Sequence, residues 1–503
     1  MTSGKDMNLL RDYQLKAIED IRTIFSKGKK KVLLVAPTGS GKTVIASSMI
    51  EKMLLQNNLG LFIAHRRELV MQCSRKLAEF EIKHGVIMAN KSPNTFAKMQ
   101  VVSIQTFIAR KDREDFMKPT AQLIIIDEAH RSTSASFRKL IAEYPDAWVI
   151  GLTATPCRAD GKGLGNIYEE LVECGTIRDL TAQGYLVPNK IVAPSVPDLQ
   201  GIRIMAGDYE KKELSNRMNT PKLVGDIVSH WIKYGEGRPT VVFAVNIAHS
   251  KYIAKIFNQN GIPAGHIDGE MAEVKREYEL ERLNSGAIKV LSNCMVLTEG
   301  WDQPKVSCVI IARPTKSYPM YLQMVGRSLR PAPNKKDTLI IDHSGCVYEH
   351  GFPEDVPKWE LKTTTPKEKK KKEVVPIEKQ PFTCVKCDTV YKPNKEEPEC
   401  PNCSFIPTKK EQMILIQQGR LVELPKMKPK PMDKENFYAQ LAYYAKQKGY
   451  KEGWASWTFK RKYGHFPHTK KVFPVATGKD VMKFIQYCNI LNAKSKNFRE
   501  LNI

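Results

Sequence analysis

The stretch KVLLVAPTGSGKT, residues 31 to 43, runs from a short apolar segment through a loop with two glycines into a helical segment. Gly39 and Gly41 permit backbone conformations that point successive N–H groups at phosphate oxygens. The helix that starts there adds the positive end of its dipole. Lys42 is placed to reach the β- and γ-phosphates of a nucleotide, and the Thr43 hydroxyl is placed to bind Mg²⁺. The sequence therefore predicts a phosphate-binding loop, with Pro37, Thr38 and Ser40 as its remaining members.

A second apolar run, IIIDEAH at residues 124 to 130, ends on two carboxylates. Open α/β sheets bind ligands at the carboxyl ends of their strands, where a phosphate-binding loop needs a carboxylate to hold its Mg²⁺. We predict that Asp127 binds Mg²⁺ together with Thr43, and that Glu128 orients and deprotonates an attacking water. A solvated turn is the alternative for the acidic pair alone, and the upstream loop favours the catalytic interpretation. Ala36 stands where the usual loop pattern has glycine, a departure that the strand–loop–helix context outweighs.

Short apolar runs alternate with helical stretches in two successive sets, as expected for parallel strands that are buried on both faces. The first set occupies residues 31–37, 60–65, 100–105, 122–128 and 147–155. The second set occupies residues 239–245, 264–269, 288–294, 306–313 and 337–343. We predict an α/β fold with two tandem parallel-sheet domains, over residues 1–183 and 184–350.

The composition favours a soluble protein with a polyanionic partner. The 503 residues are 42% hydrophobic and 26% charged, and 79 Lys and Arg against 54 Asp and Glu give a net charge of +25. A basic excess of this size favours nucleic acid as the partner. No apolar run reaches the ~18 residues of a membrane span, and the first residues lack the apolar core of a signal peptide. We therefore expect a cytoplasmic protein without membrane contact.

The rest of the chain divides into a linker, a cysteine-bearing segment and a tail. Residues 351–380 are rich in Lys and Pro, which is typical of a basic, solvated linker. The pairs CVKC (384–387) and CPNC (400–403) have the spacing of a structural zinc site, so we predict a zinc ribbon over residues 381–408. The four predicted Zn²⁺ ligands are Cys384, Cys387, Cys400 and Cys403.

The tail, residues 409–503, is predicted to form a small, basic and aromatic helical domain with two short helices around residues 449–453. Five apolar or aromatic residues are spaced to form its core: Tyr438, Leu441, Tyr444, Trp454 and Trp457. Stacking of the aromatic rings on nucleic-acid bases is the alternative, and core packing is favoured. Basic residues of the tail can contact backbone phosphates: Lys446, Lys448, Lys460, Arg461 and Lys462.

Residues 9–345 resemble superfamily two of the helicases and translocases, whose motor consists of two RecA-like domains. Besides GSGKT and DEAH, six motifs in family order carry the resemblance: LRDYQLKAI (9–17), AHRRELVMQ (64–72), SIQTF (103–107), GLTATP (151–156), NCMVLTEGWDQP (293–304) and QMVGRSLRP (323–331). A basic tail behind a zinc module is similar to that of RadD-like repair helicases of bacteria and phages.

The resemblance implies a role for each of these motifs. The nucleotide-binding residues that it implies are Arg11 and Gln14 at the adenine and Gly300 and Asp302 near the ribose. The residues implied to hold the phosphates of the tracking strand are Arg66, Gln105, Thr106 and Thr298. The residues implied to couple the two sites are His130, Thr153 and Thr155. The residues implied to complete the catalytic site are Gln323, Arg327 and Arg330.

The implied function is an ATP- and Mg²⁺-dependent DNA helicase or translocase that acts in repair, recombination or replication. Its expected partner is single-stranded, forked or branched DNA, because RDYQ and QMVGRSLR are more like DNA-repair and restriction motors than DEAD-box RNA enzymes. The alternatives are a duplex branch-migration translocase without strand separation, an RNA helicase, and a non-enzymatic zinc protein that binds nucleic acid. A single-strand-binding or recombination protein is a further suggested partner, in a bacterial or phage-infected cell.

Overall fold

The computed structural model divides the chain into two compact units, Met1–Ile416 and Gln417–Ile503. The structure describes residues 10–89, 91, 94, 96–157, 163–194, 197–205, 207–355, 359–361, 381–392, 398–407, 434–451, 453–467, 481–482 and 485. Most of the predicted linker over 351–380, and much of the predicted tail over 409–503, lie outside these residues. Among the described helices, none is long and apolar enough to cross a membrane.

The first lobe of the larger unit contains seven parallel strands. They are β1 (Lys31–Val35), β2 (Gly60–Ala64), β3 (Gly85–Ile87), β4 (Met99–Ser103), β5 (Leu123–Ile126), β6 (Trp148–Thr153) and β7 (Glu170–Glu173). Their order in the sheet is β3-β4-β2-β5-β6-β1-β7. The helices are α1 (Asp12–Ser26), α2 (Lys42–Leu55), α3 (Arg67–Glu79), α4 (Ile104–Arg110), α5 (Ala135–Ala142) and α6 (Ile177–Ala182). A 3-10 turn at Ala129–Arg131 follows β5.

The second lobe contains a six-stranded parallel sheet and a small antiparallel hairpin. The sheet strands are β8 (Asn189–Val192), β11 (Thr240–Phe243), β12 (Ala264–Ile267), β13 (Val290–Asn293), β14 (Cys308–Ile311) and β15 (Thr338–Asp342), in the order β12-β13-β11-β14-β15-β8. The hairpin pairs β9 (Ile204–Met205) with β10 (Asp208–Tyr209). The helices are α7 (Lys211–Met218), α8 (Pro221–Tyr234), α9 (Ile247–Gln259), α10 (Glu273–Ser285), α11 (Tyr318–Val325) and α12 (Cys346–His350). The predicted pair of tandem parallel-sheet domains is confirmed.

Both faces of each sheet are buried, which explains why the strands are continuous apolar runs. In β1, Val32 and Leu34 join the core on one face, while Leu33 and Val35 join the core on the other. Successive side chains of a strand point to opposite faces, so a strand covered on both sides must be apolar at every position. Because all the strands of a sheet are parallel, their carboxyl ends share one edge, where the motif residues follow the strands.

The cysteine-bearing segment packs on the edge of the second sheet. Its strands β16 (Phe382–Thr383) and β17 (Val390–Tyr391) form a hairpin. Thr389 forms an isolated antiparallel bridge with Val192 at the end of β8, and Ala193 N donates to the Asp388 carbonyl oxygen at 3.1 Å. Val390 also joins the hydrophobic core of the second lobe. The segment therefore covers the exposed edge of β8.

The described part of the predicted linker is packed on the protein, which corrects the prediction of a solvated tether at these residues. Trp359 and Leu361 pack against the first-lobe core. The Leu361 carbonyl oxygen accepts a hydrogen bond from Gly165 N at 2.8 Å, and Trp359 N donates to Glu173 Oε1 at 3.3 Å. The sequence analysis missed this contact because Trp359 and Leu361 form no apolar run within a stretch rich in charged residues of both signs.

The described tail contains α13 (Lys434–Gln447) and α14 (Trp454–Tyr463), in agreement with the predicted pair of helices. Tyr438 and Leu441 are buried in its core, and Tyr444 and Trp454 pack against that core. The prediction that Trp457 belongs to the core is wrong, since 65% of its surface is exposed. The residues of α14 that face inward are Ala455, Thr458 and Phe459, and this orientation leaves Trp457 on the outer side.

Candidate nucleotide site and nucleic-acid interface

The predicted phosphate-binding loop connects β1 to α2. Gly39 and Gly41 have φ of 90° and 83°, a region that L side chains rarely adopt, so both positions favour glycine. The part-buried Lys42 Nζ donates to the Ala36 carbonyl oxygen at 3.0 Å and to that of Pro37 at 3.4 Å. Loss of solvent lowers the pKa of Lys42, and the nearby carboxylates oppose that shift. An ammonium group that donates to two carbonyl oxygens and has lost solvent fits a phosphate ligand, which would add negative charge beside it.

The element predicted to read adenine lies against the same loop. Gln14 is buried, with Oε1 accepting from Arg11 N at 3.0 Å and Nε2 donating to the Ser40 carbonyl oxygen at 2.9 Å. Tyr13 donates its hydroxyl to the same Ser40 oxygen at 2.8 Å. The Arg11 guanidinium lies 4.6 Å from the ring centroid of Tyr185. The sequence analysis gave no role to Tyr13, although it lies within the predicted adenine motif. It also missed Tyr185, whose ring centroid lies 5.1 Å from that of Tyr13, because nothing in the sequence brings a residue after α6 to the start of α1.

Asp127 and Glu128 follow β5 at the same edge of the sheet. Glu128 is buried and has φ of 49°, which is uncommon for a residue other than glycine. Its backbone N–H donates to Asp127 Oδ1 at 2.9 Å, and its Oε2 lies 3.4 Å from His130 Nδ1. Burial and the charge of Glu128 raise the pKa of Asp127 to about 7. Burial also disfavours ionised Glu128, but His130 and Lys42 outweigh it and hold the pKa of Glu128 below its ordinary value.

These two carboxylates fit the chemistry that a nucleotide-bound Mg²⁺ requires. A carboxyl group whose pKa is raised by burial and a like charge is stabilised in its ionised form when a cation lies beside it. Asp127 and Thr43, at the start of α2, are the residues that would hold Mg²⁺. Mg²⁺ would neutralise charge on the phosphates. Glu128 stays ionised and can accept a proton.

Residues that follow α11 of the second lobe reach the phosphate-binding loop of the first lobe. A Cβ added at Gly326 would lie 2.4 Å from Thr38 Cβ, so only glycine allows this approach. A Cβ added at Gly39 would lie 2.9 Å from Arg330 Cγ. Arg330 Nη1 lies 2.8 Å from Asp302 Oδ1. The structure therefore brings an arginine of one lobe against the phosphate-binding loop of the other.

Arg327 lies beside Arg330 and is fixed by the backbone of its own lobe. Its Nη1 donates to the Trp301 carbonyl oxygen at 2.6 Å, and its Nη2 donates to that of Thr298 at 2.6 Å. Burial, with a smaller contribution from the charge of Arg330, lowers the pKa of Arg327 to about 10. Both arginines also lower the pKa of Lys42, so three positive charges converge on the loop. Such convergence suits a highly charged anion.

Gly300 lies at the contact between the lobes, and Gln323 lies within the second lobe. Gly300 has φ of 70°, and an added Cβ would lie 3.3 Å from side-chain atoms of Glu68 and Leu69 in α3. Gln323 is buried in α11, one turn before the glycine that touches the loop. The sequence analysis placed Gly300 near the ribose, and the structure adds that it packs against the first lobe.

The predicted coupling threonines lie at the end of β6 and just after it, where the strand is hydrogen-bonded to the start of the loop. Thr153 Oγ1 donates to the Thr155 carbonyl oxygen at 2.8 Å and accepts from Thr155 N at 3.1 Å. The Thr153 carbonyl oxygen accepts from Ala36 N at 2.9 Å. Thr155 Oγ1 is buried without a hydrogen-bond partner among the described residues. The turn is thus tied to the start of the phosphate-binding loop.

Two of the four residues predicted to hold the tracking strand, Arg66 and Thr298, lie where the two lobes meet. Arg66 Nη1 donates to the Met295 carbonyl oxygen at 3.2 Å, and the Thr298 hydroxyl donates to the same oxygen at 3.0 Å. Gln105 Nε2 donates to the His65 carbonyl oxygen at 2.6 Å. Thr106 is buried in α4. The structure therefore brings Arg66 and Thr298 together across the lobes, whereas Thr106 is enclosed by its own lobe.

Sequence analysis missed Glu299, which lies within the motif TEGWD between two predicted residues. It is buried, although acidic residues are rarely buried without partners. Its position between Thr298 and Gly300, both predicted functional residues, was the feature of the sequence that could have indicated a role for it. Its partners belong to the other lobe and could not be read from the sequence.

The four predicted zinc ligands form one cluster. The sulfur atoms of Cys384, Cys387, Cys400 and Cys403 all lie within 4.8 Å of one another. Each pair is held by a tight turn, in which Asp388 N donates to the Cys384 carbonyl oxygen and Ser404 N to that of Cys400, both at 2.9 Å. Four convergent thiols in two such turns fit tetrahedral Zn²⁺.

Two family models match the chain, one in each lobe. The model described as type III restriction enzyme, res subunit, matches residues 8–158, and the helicase conserved C-terminal domain matches residues 222–332. The Saccharomyces cerevisiae protein IRC3, described as an ATP-dependent helicase, is 31% identical over 359 residues, which cover 67% of this chain and 52% of that protein. The chain thus spans about half the length of this yeast relative.

A viral protein and a solved structure are also similar. The 51.5 kDa protein of a Lactococcus phage is 29% identical over 419 residues, which cover 81% of this chain and 86% of that protein. The fragment structure assigned to an HsdR subunit of a type I restriction enzyme from Vibrio vulnificus YJ016 has a TM-score of 0.54 and 21% identity. It covers 70% of this chain and 67% of that chain, and it supports the two-lobe fold.

Proposed function

Because the chain belongs to superfamily two of the helicases, we propose that it is an ATP-driven motor that moves along a DNA strand and separates or remodels DNA. One observation carries the proposal. Arg330 of the second lobe lies against the phosphate-binding loop of the first lobe, and the charge of Glu128 acts on Lys42 of that loop. A site divided between two lobes can change its shape when its ligand is cleaved, and that change can be converted to movement.

In the proposed cycle the residues of each lobe have separate tasks. The first lobe holds the phosphates through the loop and Lys42, and Glu128 accepts the proton of the attacking water. The second lobe neutralises charge on the transferring phosphoryl group through Arg327 and Arg330. Because these arginines reach the site only when the lobes are together, hydrolysis and release permit the lobes to separate. Strand contacts on the two lobes then move relative to each other.

DNA is the proposed partner. The net charge of +25 suits a nucleic-acid backbone. The match of the first lobe to a restriction-enzyme subunit favours DNA over RNA. The motifs RDYQ and QMVGRSLR favour the same choice.

ATP turnover measured with single-stranded DNA, duplex DNA, forked DNA and RNA tests this proposal. We expect DNA to stimulate turnover, and Lys42→Ala to remove that stimulation while the protein keeps its fold. Displacement of a labelled strand from the fork separates a helicase from a duplex translocase. Stimulation by RNA above every DNA would contradict the choice of DNA, and turnover that no nucleic acid changes would contradict the motor.

We also propose that the cysteine cluster binds one structural Zn²⁺. Since the segment covers the edge of β8, loss of the metal is expected to destabilise the second lobe as well as the segment. Structural zinc contributes on the order of 10 kcal/mol to the folding of small domains. We expect metal analysis to find one zinc per chain, and Cys384→Ser with Cys387→Ser to lower the melting temperature. Cys157→Ser, outside the cluster, is the matched control, and zinc-free protein with an unchanged melting temperature would contradict the site.

A further inference from the structure

An exposed aromatic surface with positive charge lies on α14 of the tail; we call Trp457, Lys460 and Phe466 the Trp457 face. Trp457 is 65% exposed and Phe466 is 45% exposed. Their ring centroids are 5.2 Å apart, with an interplanar angle of 81°. Lys460 Nζ lies 5.3 Å from the Trp457 centroid and 4.4 Å from the Phe466 centroid. Two large rings and one ammonium group thus share a small solvent-facing area.

The sequence of the unit that carries this face is strongly basic. Over residues 434–451 and 453–467 the sequence holds seven Lys and Arg and one Glu. The whole unit, residues 417–503, holds 18 Lys and Arg against 6 Asp and Glu, so its net charge is +12. Nearly half of the charge excess of the chain therefore belongs to its last 87 residues.

We propose that the Trp457 face binds single-stranded nucleic acid, with a base stacked on Trp457 and a backbone phosphate beside Lys460. The positive charge favours a polyanionic ligand. The exposed indole ring favours a nucleic acid whose base faces are accessible for stacking. Duplex DNA hides the faces of its bases, so a single strand is the fitting occupant. This inference rests on the proposed function only because the motor is what brings a single strand to the protein. It assigns the tail a binding site for that strand in addition to the site on the motor.

The test measures binding of the full chain to a labelled oligothymidylate of about 20 nucleotides by fluorescence anisotropy without ATP. Trp457→Leu keeps an apolar side chain but removes the ring, and we expect it to weaken binding by roughly tenfold. Trp457→Phe keeps a ring and is expected to restore most of the affinity. Lys460→Gln is expected to lower the slope of log K against log salt by about 0.7, the value of one phosphate contact.

Equal affinities of wild type, Trp457→Leu and Trp457→Phe for the oligonucleotide would overturn this proposal. That result would mean that the aromatic ring of residue 457 does not stack on a base. The matched control is Tyr278→Leu, which removes an exposed ring from the motor; it is expected to bind as wild type does. The binding is measured without ATP, so a negative result for the Trp457 face would not contradict the proposed motor function. Conversely, absence of DNA-stimulated turnover in the wild type would reject the motor and leave this binding result standing.

A second, independent observation concerns Glu299, a carboxylate of the second lobe that is buried against the first lobe. Its Oε2 lies 3.0 Å from both His65 Nε2 and Arg66 Nε. Its Oε1 lies 3.1 Å from Arg131 Nη2 and 3.9 Å from His130 Nε2. The side chain of Glu299 is only 4% exposed. One carboxylate therefore faces four nitrogen-bearing side chains across the boundary between the lobes.

These partners follow two neighbouring strands at the same edge of the first sheet. His65 and Arg66 follow β2, and Arg66 is a predicted strand contact. His130 and Arg131 follow β5, where His130 faces Glu128. Burial opposes ionisation of Glu299, but its partners outweigh burial and hold its pKa well below the ordinary value.

We infer that Glu299 is a positioning residue that holds the lobes together only when the residues after β2, at the predicted strand contact, and those after β5, beside Glu128, are both in place. A carboxylate that is buried and charged is stable only with its cationic partners, and separating the lobes removes all of them at once. This inference rests on the proposed function, because lobe closure is the step that it controls.

The test compares Glu299→Gln with Glu273→Gln, because both remove one charge from an ion pair between the lobes. Glu273 lies 2.8 Å from Arg67, but both side chains are about half exposed. Exposed pairs are screened by solvent and salt, whereas buried pairs are screened much less. We expect Glu299→Gln to lower strand-stimulated turnover by about 10²-fold, and Glu273→Gln to change it by less than about twofold.

Energy transfer between one dye on each lobe supplies the readout that a purely structural role would leave unchanged. With single-stranded DNA and a non-hydrolysable ATP analogue, Glu299→Gln is expected to reduce the closed population, at low and at high salt. A closed population equal to that of Glu273→Gln would overturn the inference. If the wild type shows no closure with DNA and nucleotide, the proposed motor fails, which is a distinguishable result.

Discussion

Replacing Glu128 by Gln is expected to lower DNA-stimulated ATP turnover by about 10²–10⁴-fold, the usual contribution of a general base. The Gln side chain has the same size but cannot accept a proton from water. Glu128 is suited to this task because its partners keep it ionised despite burial, with His130 Nδ1 at 3.4 Å from its Oε2. Its backbone is in the left-handed region, with φ of 49°. Such strained conformations of residues other than glycine cluster at functional sites.

ATP binding is expected to survive this substitution, because the phosphate-binding loop and Lys42 are untouched. Measurement of single-turnover hydrolysis, together with binding of a fluorescent ATP analogue, separates the two effects. Glu170→Gln, at an exposed position on β7, is the matched control and is expected to behave as wild type does. Turnover of the Glu128→Gln protein within a few-fold of wild type would assign the proton transfer to another group.

The sequence predicted the central strands well because each is a continuous apolar run. It missed two strands of the first sheet for physical reasons. The strand β3, Gly85–Ile87, has three residues and is too short to form a pattern. The strand β7, Glu170–Glu173, lies at the sheet edge with its two glutamates exposed, so it does not resemble a buried parallel strand.

Local motifs were predictable, and contacts between distant segments were not. The loop residues and the DEAH carboxylates are each contiguous in sequence, so their chemistry could be read directly. The contact between Glu299 and Arg131 joins residues 168 positions apart, and that between Arg66 and Met295 joins residues 229 apart. Burial of Glu299 depends on how the two lobes meet, which no local pattern encodes. The outward orientation of Trp457 likewise depends on how α14 packs against its neighbours.

In this arrangement of the lobes, Arg330 is the side chain whose removal is expected to have a large effect on ATP turnover. Arg330→Ala is expected to lower DNA-stimulated turnover by about 10³–10⁵-fold, the range found for arginines that act on a transferring phosphoryl group. Arg330 is the residue of the second lobe that approaches Gly39, where an added Cβ would lie 2.9 Å from its Cγ. Arg330→Lys keeps the charge but loses the planar fork, so only partial activity is expected.

A competing explanation is that Arg330 only neutralises Asp302, whose Oδ1 lies 2.8 Å from its Nη1. In that case removing the arginine would be harmful because it leaves Asp302 without its cation, and Arg330→Ala combined with Asp302→Asn would restore turnover. If the arginine acts on the phosphoryl group, the double variant stays as inactive as Arg330→Ala. Recovery of turnover in the double variant would therefore show that Arg330 has no role in hydrolysis, because the reaction would proceed without its positive charge at the phosphoryl group.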